Sequence, residues 1–93
     1  MDIINMIKNG EVDEVDLLEY ITDNDINVAV AAAESDIATE PILDIAAHDK
    51  DIAVRMAAVN NKNIGVHTLQ YLLGDEVEEI AMLAEERLRG GKK

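Results

Sequence analysis

The sequence predicts an all-α fold built from about three and a half copies of a two-helix unit of 26 residues. Three observations lead there. The chain matches itself at a shift of 26 without a gap: Leu17, Leu43 and Leu69 coincide, as do Asp23, Asp49 and Asp75, Val28, Val54 and Ile80, and Ala32, Ala58 and Ala84. Apolar residues recur at spacings of three and four rather than two, which favours helix over strand despite the many β-branched residues. The end helices lose apolar character on one face, while the helices between them keep two apolar faces.

Residues 2–8 align with the second helix of a unit, so the chain opens on half a repeat. First helices are expected over about 13–22, 39–47 and 65–73. They start at Asp13, Thr39 and Gly65, all acceptable N-caps. Glu14, and Glu40 with Pro41, stand in first turns, where acids suit the helix dipole and proline is tolerated. Second helices are expected over about 25–34, 51–60 and 76–89. Asp23-Asn-Asp25, Asp49-Lys-Asp51 and Asp75-Glu76 announce them, as acids able to cap free N–H groups.

The helix faces say how the units are arranged. In the middle unit Val54, Ala57 and Ala58 share one face, and Ile52, Met56 and Val59 lie roughly opposite. The preceding unit sets Val28, Ala31 and Ala32 against Ile26, Val30 and Ala33. A helix apolar on two sides needs cover on two sides. In the last helix Ile80, Leu83 and Ala84 keep the first face, but Glu78 and Glu85 replace apolar residues on the second. In the opening helix Ile4 and Ile7 keep the second face, and Asp2 and Asn5 make the first polar. Polar outer faces are what a capped one-dimensional stack requires.

The segment Asp49-Lys-Asp-Ile-Ala-Val54-Arg55-Met-Ala-Ala58-Val-Asn-Asn61, followed by Leu69-Gln-Tyr-Leu72-Leu-Gly-Asp75, resembles the leucine-rich repeat variant family, a relative in style of HEAT-like repeats. The resemblance spans about 13–88. Two departures stand out. The family's Asn-Pro is Asn61-Lys62 here, and the arginine after valine occurs once, at Arg55, against Ala29 and Ala81. The resemblance implies a short right-handed α-solenoid, a superhelix of about 3.5 repeats, with a scaffold or protein-binding role and no reaction. One helical-repeat domain over 1–89 and a disordered tail at 90–93 are expected.

Composition narrows the function. Acids outnumber bases 20 to 8, for a net charge of −12. That sign disfavours nucleic acid and anionic membranes, both of which call for clustered Lys and Arg. The charge is uneven: residues 1–25 hold eight acids and one base, and 76–93 hold five acids and four bases. The longest apolar run, Val28–Ala33, is far below the roughly 20 residues that span a bilayer. Met1–Lys8 lacks the basic-then-apolar order of a signal peptide, so a cytoplasmic location is expected. Without cysteine there is no disulfide framework and no thiolate metal site.

No motif predicts catalysis, a metal or a cofactor. Asp23, Asp25, Asn27 and Glu34 imitate the acids of a calcium loop, but the glycine position holds Val28 and the residues after it read as helix. His48 and His67 are out of register with each other, and His48 stands at a helix end, where contact with a C-terminal carbonyl is ordinary. Glu78/Glu79 and Glu85/Glu86 read as a solvated face, with Glu85 able to pair with Arg89.

The expected function is a non-enzymatic protein-interaction or scaffold module with an acidic surface. Asn27, Glu34, Asn60, Glu79 and Glu86 form the candidate partner-binding row on the second helices, suited to a basic protein. A second acidic patch is Asp13, Glu14, Asp16 and Glu19. Met82 offers an adaptable apolar contact, and a monomer or weak homodimer through Met82 or Ile3 is expected. The alternative function is an acidic decoy that mimics nucleic acid and occupies a basic protein. The alternative architecture is a bundle without ordered stacking.

Overall fold

The computed structural model describes residues 2–90. Among them are seven α-helices and no strand: α1 (Ile3–Lys8), α2 (Glu14–Tyr20), α3 (Ile26–Glu34), α4 (Glu40–Ala47), α5 (Ile52–Asn60), α6 (Val66–Leu72) and α7 (Glu78–Leu88). Among the described residues no helix is long and apolar enough to cross a membrane.

The helix starts follow local chemistry. Asp13 caps α2 in a reciprocal box with Asp16: each carboxylate accepts the other's backbone N–H, at 2.9 and 3.1 Å. Asp25 and Asp51 cap α3 and α5 by accepting the N–H two residues on. Before each of these, Asp23 and Asp49 accept the N–H of Asp25 and Asp51. The third copy differs from expectation. Asp75 accepts the N–H of Val77, as its equivalents do, but Val77 is the N-cap and has no side-chain acceptor. So α7 starts at Glu78, two residues later than the acids at 75 and 76 suggested, with Glu78 and Glu79 beside its positive end. Thr39 and Gly65 occupy the N-cap positions of α4 and α6 without a side-chain cap bond.

Packing follows the 26-residue register. The principal helix contacts run α1 to α3, α3 to α5 and α5 to α7 in one row, and α4 to α6 in the other. Within units α2 meets α3, α4 meets α5, and α6 meets α7; α3 also meets α4. Leu17, Leu43, Val54, Ala58, Ile80 and Ala84 are buried between the rows. The second apolar face is only partly covered. Ala33 and Val59 are sealed and Met56 is half-buried, but Ile52, in the first turn of α5, is 50% exposed. In α6 Thr68, Leu69 and Leu72 are buried, while the C-cap Leu73, which aligns with buried Ile21 and Ala47, is exposed. Gly90, at φ +94°, donates its N–H to the Arg87 carbonyl and ends α7. The rest of the expected tail, 91–93, lies outside the described residues.

Polar side chains stitch each unit to the one before. The Asn61 Nδ2 donates to the carbonyls of Ala33 and Ser35, both at 2.9 Å, closing the exposed end of α3. One unit later Arg87 occupies the same register and donates to the carbonyls of Val59 and Asn61. Asn63 reaches back to Asp36 and Ala38, and the Glu40 carboxylate accepts from Gly65 N–H at 2.6 Å and from the Thr68 hydroxyl. A Cβ on Gly65 would stand 2.8 Å from the Glu40 carboxyl, so a larger residue there would push that carboxylate aside. Asn61→Ala would take the side-chain donor from the Ala33 carbonyl and the acceptor from the Asn63 N–H, while the Ser35 carbonyl keeps the Ala38 N–H. Urea unfolding is expected to register a loss of about 2 kcal/mol.

Candidate functional site

Three surface regions bring polar and apolar groups together. The first is a cleft of about 340 Å³ between the α4–α5 and α6–α7 turns, with His48, Arg55, Tyr71 and Asp75 on its walls. The His48 ring stacks on Tyr71 with centroids 3.9 Å apart and planes at 17°. Its Nδ1 lies 2.8 Å from the carbonyl of Asp44, the helix-end contact expected of this residue. Arg55 Nε donates to Asp75 Oδ2 at 2.8 Å, and its Nη1 donates to the carbonyls of Asp49 and Lys50. Both side chains of this ion pair are buried, 9% and 5% exposed. The guanidinium and carboxylate therefore hold two turns together, and their donors and acceptors point at each other rather than into the cleft.

The second region is the groove between α1 and α3. Asn27 and Glu34 from the predicted row line part of it with Ile4, Lys8 and Val30. Lys8 sets a base beside Glu34, so the charge there is mixed. The third is the open outer face of α7, where Glu79 and Glu86 from the predicted row stand with Glu78, Glu85 and Arg89 around Met82 and Leu83. Asn60 is exposed at the end of α5. All five residues of the row are exposed, but they divide among these places rather than lining a single groove.

Other candidates are drawn into the architecture. Asp13 and Asp16 are used by the α2 cap, and Glu14 accepts the Thr39 hydroxyl at 2.7 Å, which leaves Glu19 as the member of that acidic patch without such a role. Asp25 is a cap and Val28 lies inside α3, so residues 23–34 have no calcium-loop geometry. Among the described residues no group of three or more His, Asp or Glu side chains is placed to hold a metal ion. Periodicity alone does not reveal the Arg55–Asp75 pair or the His48–Tyr71 stack. One signal was present: Arg55 is the single cation in a column otherwise filled by Ala29 and Ala81.

No protein-family model matches the chain, and no match is found among curated proteins or among solved structures.

Proposed function

We propose that the chain is a short right-handed α-solenoid of about 3.5 repeats, resembling the leucine-rich repeat variant pattern, and that it serves as a non-enzymatic protein-interaction module with an acidic surface. The helix contacts run between successive helices in register, and the molecule measures 39 × 26 × 17 Å, more than twice as long as it is thick. A stack in which each unit meets only its neighbours has that shape and offers long side surfaces for binding.

One observation carries the functional reading: among the described residues the three arginines are buried or held by protein partners, and the exposed bases Lys8, Lys50 and Lys62 are far outnumbered by exposed acids. Arg55 is buried against Asp75, Arg87 donates to interior carbonyls, and Arg89 pairs with Glu85 at 2.9 Å. The field presented to a partner is therefore acidic along most of the length, which attracts a basic protein and speeds its encounter. The test is the salt dependence of affinity for a protein partner purified with the chain. A contact that combines charge with apolar burial keeps most of its affinity at high ionic strength, because apolar burial is not screened. A nucleic-acid mimic would lose affinity steeply over the same range, and that result would replace this reading with the decoy.

A further inference from the structure

We infer that the outer face of α7 is a docking face for a basic amphipathic helix of a partner protein, which sits there as the next helix of the stack would. The inference rests on the interaction-module reading above and names its surface and partner chemistry.

The register supplies the first argument. Positions 78, 82 and 85 of α7 correspond to 52, 56 and 59 of α5 and to 26, 30 and 33 of α3. On α3 and α5, each followed by another helix of its row, Ala33 and Val59 are sealed and Val30 and Met56 are half-buried. On α7 the corresponding Met82 is 59% exposed, and Leu83 is half-buried beside it. This face thus continues the packing surface that a following helix covers on α3 and α5, so a helix is the occupant its register fits.

Charge supplies the second argument. Glu78 and Glu85 replace the apolar pairs Ile26/Ala33 and Ile52/Val59, and Glu79 and Glu86 stand on the same rim. An ordinary apolar repeat laid here would strip water from carboxylates without giving them partners, which is costly. A helix with an apolar stripe over Met82 and Leu83 and Lys or Arg on both flanks buries the stripe and pairs the rim. Arg89 is turned to Glu85, so one carboxylate has an internal partner and three remain for the incoming helix. A second copy of this chain fits poorly, because two molecules of charge −12 would meet rim to rim.

The probe is a fluorescently labelled helical peptide of leucine and lysine, with leucine on one face. Anisotropy is expected to show binding, and amide shifts of the labelled protein are expected to concentrate on residues 78–89. Met82→Glu should weaken binding about tenfold, as loss of a central apolar anchor does. Glu79→Lys with Glu86→Lys should weaken it too and should admit a leucine–glutamate peptide that the unaltered chain refuses. All three positions are exposed, and circular dichroism verifies that the variants fold. Shifts centred on the α1–α3 groove, an unchanged affinity in Met82→Glu, or no binding would overturn the proposal. None of these results touches the salt test above, which uses the partner itself, so the two readings fail separately. Sedimentation showing a dimer that Met82→Glu dissolves would make a second copy the occupant and would also overturn the proposal.

Discussion

Asp75→Asn is expected to lower stability by about 3 kcal/mol, a large share of what a domain of this size possesses. The substitution keeps an oxygen for the Val77 N–H but leaves the Arg55 guanidinium charged, buried and without its counter-ion. Because the pair is buried, ionic strength should barely alter the cost, unlike that of the exposed Arg89–Glu85 pair. Removing both charges, as Arg55→Met with Asp75→Asn, should recover much of the loss, since the penalty lies mainly in the orphaned charge. Urea unfolding of the two single variants and the double variant measures this coupling. A cost in Asp75→Asn below about 0.5 kcal/mol would mean that the pair behaves as a surface contact.

Leu43→Ala is expected to cost about 3 kcal/mol, the usual range for a large-to-small change where the surroundings cannot collapse. Leu43 is fully buried at the centre of α4, which contacts α3, α5 and α6, so the cavity has walls from several helices. Val15, on the first helix of the preceding unit, is 73% exposed, and Val15→Ala should change stability by no more than about 0.5 kcal/mol. The pair separates core packing from simple loss of apolar atoms, and thermal or urea unfolding reads both.

Much of the fold was legible because a repeat states its rule several times. Leu17, Leu43 and Leu69 share a register, and a buried column of that kind marks the helix faces without any coordinates. Aspartates at 23 and 49 stand ahead of caps at 25 and 51, so the helix starts were legible as well. The rule misled where one copy departs from it. Asp75 looked like another cap, but Val77 holds the cap position and the carboxylate faces Arg55. Residues far apart in the chain were the least legible. His48 and Tyr71 stack across two turns, and Asn61 and Arg87 perform one task with different chemistry in the same register. Hydropathy does not show that an amide and a guanidinium can close the same pair of carbonyls. Of the candidate row, the exposure of each residue was legible, but its division among separate places depends on where α1 and α7 lie.

Stacked units can be lengthened, and the decisive measurement is to lengthen them. A second copy of residues 39–64 inserted after Ile64 enters in register, because Thr39 and Gly65 occupy equivalent positions. Arg55 of the first copy then meets Asp49 of the second, and Arg55 of the second meets Asp75, so the ion pair is duplicated with the unit. Small-angle scattering is expected to show the 39 Å dimension longer by about 10 Å, one helix spacing, at unchanged cross-section, with helicity per residue preserved and a single cooperative unfolding transition. An insert that remains unfolded, aggregates, or swells the particle equally in all directions would show that the helices close into a bundle instead, and the docking face on α7 would lose its basis.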